Sequence, residues 1–208
     1  KDKFCINDYR FDTAFIGAML YELVVLKKIE IQDDLIKCVG KKDGSSKELK
    51  DMYARMKSKK SDKKISYWVV KLLTKSEKYR KTTLKSMTEK GLIEIVEKRY
   101  LLFFKKQTTH LTNPVVREEI VEKLRACLLD NAPASFDELA IIGIIDAANV
   151  YRLISNIKGE CPRMKEKYEY LLMDNFVGDF ASDIILKIKN ALFYTYNSYN
   201  PSARCSGR

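Results

Sequence analysis

The chain has 208 residues, enough to bury a full core as one large domain or two small ones, and its 46% hydrophobic content is ordinary for a soluble globular protein. Its net charge of +11 is unevenly placed: residues 41–100 hold 19 Lys and Arg against 8 Asp and Glu, and the rest of the chain balances at 20 of each. The longest apolar run, 139–145, stops at Asp146, far short of the roughly 20 residues a membrane span needs, and the scattered Cys5, Cys38, Cys127, Cys161 and Cys205 lack CxxC spacing, so they read as reduced cytosolic thiols and not as a disulfide framework.

The chain begins at Lys1 and not at Met, which reads as a trimmed N-terminus with no secretory signal in view. Asp12 is placed to cap a helix over about 13–28, where Ile16, Leu20, Leu23 and Val24 recur at helical spacing. Residues 29–39 alternate weakly and predict one or two short strands. Residues 40–46, GKKDGSS, predict a loop without the glycine spacing of a nucleotide cradle. A helix over 47–57 leads into a lysine-rich loop, KSKKSDKK at 57–64, which reads either as a solvated loop or as a polyanion contact. The only tryptophan, Trp68, reads as the core anchor of a helix over 64–73. A further helix over 76–90 ends at Gly91, a residue suited to the left-handed position past a helix end.

Residues 90–113 read KGLIEIVEKRYLLFFKKQTTHLTN. Two apolar runs, LIEIV and YLLFF, joined by EKR, predict a β-hairpin with a charged tip. Alternation turns one of Phe103 and Phe104 inward and leaves the other beside Lys105 and Lys106. Leu101, Leu102, Phe103, Phe104, Lys105 and Lys106 are therefore candidate membrane or self-association residues. Thr112, Asn113 and Pro114 predict a helix start, with Glu118 and Glu119 near its positive end. Val116, Ile120, Leu124 and Leu128 step by four along it. Residues 136–154 are apolar nearly all round and predict a buried central helix. Amphipathic helices are predicted over 163–173 and 179–196, followed by a loose polar tail over 197–208. In that tail Cys205 is followed by Ser-Gly-Arg, a poor prenylation signal. The expected fold is mostly α: a single globular helical domain over 1–196 with a small surface β-hairpin.

The single His110 builds no histidine metal cluster, and no nucleophile elbow, dinucleotide loop or HExxH pattern is present. Carboxylates are spaced as on solvated helix faces. Nothing argues for an enzyme, and no cofactor or metal is expected. Two binding readings remain. A winged helix would place the helix over 76–90 and the hairpin on nucleic acid, but that helix lacks a row of Arg, Asn or Gln to read bases. A membrane surface would use basic residues for an anionic leaflet and apolar ones for insertion.

The order of several motifs resembles the Golgi phosphoprotein 3 family over about 4–196. These are GAMLYEL in the first helix, YWVVKLL around Trp68, TEKGLI followed by YLLF, then TTH and LTN, and LAIIGIIDAANVY. The resemblance implies a peripheral, cytoplasmic-side protein of Golgi membranes that binds phosphatidylinositol 4-phosphate. It also implies retention of Golgi glycosyltransferases by their cytoplasmic tails, and a hairpin engaged in self-association and membrane contact. The family's head-group tryptophan and three arginines fall on Asn7, Ile16, Glu77 and Arg80, so only Arg80 matches. A proline usual between TTH and LTN is missing. Lys81, Arg10 and Lys78 are placed to supply phosphate contacts beside Arg80. A membrane partner, and not nucleic acid, is expected.

Overall fold

The computed structural model describes residues 8–40, 46–100, 104–155, 157, 159–173 and 179–199. In chain order, α1 (Asp8–Val25) is followed by β1 (Ile29–Gln32) and β2 (Leu35–Cys38). Next come α2 (Lys47–Lys57), β3 (Lys63–Lys64), α3 (Ile65–Leu73) and α4 (Ser76–Glu89). A second strand pair, β4 (Ile93–Tyr100) and β5 (Phe104–Leu111), precedes α5 (Pro114–Leu129), α6 (Phe136–Ala147), a 3-10 turn (Tyr151–Leu153), α7 (Glu160–Met173) and α8 (Asp179–Tyr199). The fold is mostly helical, with one hairpin standing apart.

The core forms where apolar helix faces meet. α8 packs on α6, α3 and α1, and α1 also meets α6 and α3. Ile16, Leu20 and Leu23 of α1, Leu139 and Ile142 of α6, and Ile185, Ile188 and Leu192 of α8 are completely buried. Each such side chain contributes about 1.5–3 kcal/mol relative to exposure. Trp68 is buried on α3, as its isolation in the sequence predicts. Gly17 lets α1 approach α8 closely, since a Cβ there would sit 2.5 Å from a Leu192 methyl carbon. One ion pair is sealed into this packing: Lys189 lies 2.7 Å from Asp146, whose other oxygen accepts from the Tyr151 hydroxyl at 3.2 Å.

Local signals set most element ends. The Ser46 hydroxyl accepts from the Leu49 N–H, and the Asn113 side chain from the Val115 N–H, with Pro114 just inside α5. Gly91 has φ +67°, and the Leu92 N–H donates to the Met87 carbonyl, closing α4 with a left-handed cap. Lys27 and Asn149 do the same for α1 and α6, at φ 51° and 52°. The Val150 N–H donates to the Ile145 carbonyl and the Asn149 N–H to the Asp146 carbonyl. The expected single helix over 136–154 is therefore broken after Ala147, because Asn tolerates the left-handed turn that α6 needs to stop.

Two further expectations are corrected. Asp12 lies inside α1 and does not cap it: its carboxylate accepts from the Ser76 hydroxyl at 2.7 Å and from Arg80 at 3.2 Å, tying α1 to the start of α4. The hairpin is longer than expected, and its turn lies elsewhere. Pairing runs from Ile93 opposite Leu111 to Tyr100 opposite Phe104. Glu97, Lys98 and Arg99 are thus strand residues, and the connection falls on 101–103, outside the described residues. Strand propensity and alternation carry through KRY on one side and KKQTTH on the other, and a short interruption by charge does not end a strand. β1 and β2 also recruit β3, which pairs with β2 through Lys64 opposite Leu35 and Lys63 opposite Ile36.

Candidate functional site

The basic stretch folds into α2, β3, α3, α4 and the first half of the hairpin. Its cations divide into two kinds. Those on α4 are neutralised within the molecule. Arg80 bonds Asp12 and lies 5.9 Å from the Phe11 ring centre. Lys81 pairs with Glu77 at 2.7 Å, one turn away on the exposed face. Lys78 reaches Asp51 of α2 at 3.4 Å. Asp51 also accepts from Arg55 and from the buried Tyr79 hydroxyl at 2.9 Å. These partners, Arg55 foremost, hold the Asp51 carboxyl down at about 2 against a burial effect that raises it. Burial, followed by Asp51, pushes the Tyr79 hydroxyl well above its ordinary value.

Arg10 faces a different neighbourhood from Arg80. Its Nε donates to the Tyr196 hydroxyl at 2.6 Å, and one terminal nitrogen donates to the Asn149 carbonyl at 3.4 Å. Arg10 and Asp12, two residues apart on α1, point to opposite sides of that helix. The structure therefore groups Lys78, Arg80 and Lys81 on α4 and anchors Arg10 against α8. Ile16, at the position of a family arginine, is completely buried and out of reach of any phosphate. Asn7 lies outside the described residues.

On the hairpin the register brings cations opposite one another. It sets Lys98 opposite Lys106 and Arg99 opposite Lys105, directly below the Tyr100–Phe104 pair. Like charges at directly opposed positions destabilise a strand pair. Leu101, Leu102 and Phe103 connect these strands in sequence but lie outside the described residues, so the expectation that one phenylalanine packs inward falls there too. Phe104, Lys105 and Lys106 open β5.

At the base of the hairpin the structure shows an apolar surface that sequence reasoning passed over. Leu92, Ile95, Leu111, Val115, Val116 and Ile120 are each 37–51% exposed. Val116 and Ile120 share the stripe that continues into the buried Leu124 and Leu128. The step of four shows one apolar face; it does not show where the protein beneath that face ends. The Thr112 N–H donates to the Leu92 carbonyl, which joins the two strand ends.

Among the described residues no helix is long and apolar enough to cross a membrane, and no group of His, Cys, Asp and Glu is placed to hold a metal ion. Cys38, Cys127 and Cys161 are free thiols. Eight α-helices among the described residues, with a small sheet and a basic two-stranded hairpin, define a domain of mostly α class. The sequence matches the profile of Golgi phosphoprotein 3 (GPP34) over residues 2–186, and the chain belongs to that family. Membership associates it with the Golgi and with an adaptor-type family. No curated protein matches the chain.

Proposed function

We propose that the protein is a peripheral adaptor of Golgi membranes that binds phosphatidylinositol 4-phosphate and retains glycosyltransferases by their cytoplasmic tails. The observation that carries the membrane part is the hairpin register, which opposes Lys98 to Lys106 and Arg99 to Lys105, next to the Tyr100–Phe104 position. Such repulsion is relieved when an anionic surface lies against the strands, where each cation contributes about 1 kcal/mol. The exposed apolar side chains at the hairpin base add area for an acyl boundary or for a second copy of the chain.

In this reading Lys78, Arg80 and Lys81 on α4, with Arg10 on α1, exchange their present partners for the head-group phosphate. The exchange is cheap at Lys81, whose pair with Glu77 is solvent-exposed and worth about 0–1 kcal/mol. It is harder at Arg80, whose side chain is 28% exposed against an Asp12 that is 17% exposed. The tail-retention part rests on family membership alone. The alternative winged-helix reading draws on the same basic α4 and hairpin.

Flotation tests the proposal. The protein should float with vesicles containing phosphatidylinositol 4-phosphate and less with vesicles of neutral lipid alone, and should not shift duplex DNA at the same salt. The double variant Lys98→Glu/Lys105→Glu should lose most flotation. Its thermal midpoint should hold or rise slightly, because each change replaces a repulsive cross-strand pair by an attractive one worth about 0.2–1 kcal/mol. Flotation unaffected by the double variant overturns the hairpin contact. A DNA shift at matched salt favours the winged helix.

A further inference from the structure

We propose that the exposed face of α3 is a docking groove for an acidic peptide with an apolar residue at its centre. The groove has a volume of about 540 Å³ and runs along α3 from Lys63 and Lys64 past Tyr67 and Val70 to Lys71 and Thr74. At 1.5 Å rise per residue that is about 16 Å, the length of about five extended residues.

Charge specifies the occupant. Lys63, Lys64 and Lys71 form no ion pair among the described residues, and no carboxylate lines the groove. This contrasts with α4, where Lys78, Arg80 and Lys81 all have acidic partners. The start of α3 has no side-chain cap, and its first N–H, that of Ile65, donates to the Asp34 carbonyl at 2.9 Å. Lys64 occupies the capping position, and no acidic residue lies in the first turn of the helix. A helix N-terminus carries positive partial charge, so two lysines there add to it and favour an anion. α4 likewise has a lysine, Lys75, at its cap, but Glu77 follows in its first turn.

Shape separates a peptide from a bilayer. Tyr67 is 38% exposed and lies edge-on to the buried Trp68 at 5.2 Å between ring centres, and Val70 is half-buried. The apolar middle of this shallow surface, only partly exposed, thus lies between cationic ends and offers little area for insertion into acyl chains. An acidic side chain at the α3 start, an aliphatic one over Tyr67 and Val70, and an acidic one at Lys71 match this layout. The surface is built from α3 and β3, whereas the hairpin meets the helices mainly through α4. The inference is therefore independent of the lipid reading.

The test is fluorescence polarisation with a labelled Asp-Asp-Leu-Asp-Asp peptide, beside Asn-Asn-Leu-Asn-Asn and Asp-Asp-Gly-Asp-Asp. The acidic leucine peptide should bind at least tenfold more tightly than the neutral one and severalfold more tightly than the glycine one. Lys64→Glu/Lys71→Glu should weaken it at least tenfold. Lys123→Glu/Lys165→Glu, the same charge change on α5 and α7, should shift it less than twofold. Lys64→Gln/Lys71→Gln gives the same reading should the reversal lower the melting temperature. Equal loss in both Glu pairs reveals unspecific charge attraction and overturns the groove. So does binding that survives the α3 changes, or a reversal that abolishes vesicle flotation while no peptide binds.

Discussion

α4 and the hairpin are neighbours in sequence and each carries four cations, yet the fold places those charges differently. On α4, Lys78 reaches Asp51, Arg80 reaches Asp12 and Lys81 reaches Glu77. Lys78 and Arg80 thus tie α4 to α2 and α1, while Lys81 pairs within the helix. On the hairpin, the register opposes cation to cation, an arrangement that an external anion would relieve. A cluster of basic residues in a sequence therefore does not by itself locate a polyanion site; the location depends on which of them lack an internal carboxylate.

The contrast is broken most forcefully at the buried end of the scale. Asp146→Ala leaves Lys189, whose side chain is 13% exposed, without its carboxylate. Loss of one partner from such a pair costs about 3–5 kcal/mol, so chemical denaturation should show a large drop in midpoint. Membrane or peptide binding by the remaining folded protein should be unchanged.

A smaller effect is expected at the α1–α4 tie. Arg80→Ala removes a charge-assisted hydrogen bond to Asp12 and should cost about 1.5–3 kcal/mol in denaturant melts. Lys81→Ala should leave the melt within about 0.5 kcal/mol. Should Lys81→Ala alone reduce flotation, α4 contributes a head-group contact through its exposed pairs. Should Arg80→Ala alone do so with the melt unchanged, the tie to Asp12 is a binding feature and not a structural one.

The smallest effect is a pH dependence. The Asp51 carboxyl lies at about 2, below its unfolded value of about 3.9, so its stabilisation is complete above pH ~4 and is lost as pH falls through about 2. Solvent around Asp51, Arg55 and Lys78 screens the interaction, which keeps the effect near or below about 1 kcal/mol. Urea melts at pH 5 and pH 2.5 should show a smaller acid loss for Asp51→Asn than for the wild type. Equal losses would show that Asp51 does not link α2 to α4.

The sequence by itself determined what depends on a few neighbouring residues. α2 begins after Ser46, α4 ends at Gly91 and α5 starts behind Asn113 and Pro114, because caps act within one turn. Trp68 as an anchor, the helical class and the family were legible in the same way, from periodicity and from motif order. The stop at Asn149 was not read from the sequence, since the apolar pattern runs on past it. The tertiary structure alone decided which charges cancel and where the apolar surface ends. Asp12 meets Ser76 and Arg80 across 64 and 68 positions, a pairing no local pattern encodes, and it turns an apparent helix cap into a clamp. Val116 and Ile120 repeat the spacing of Leu124 and Leu128, but only the second pair is buried. Spacing fixes the face of a helix on which a side chain lies; burial and ion pairing depend on what another part of the chain places against that face.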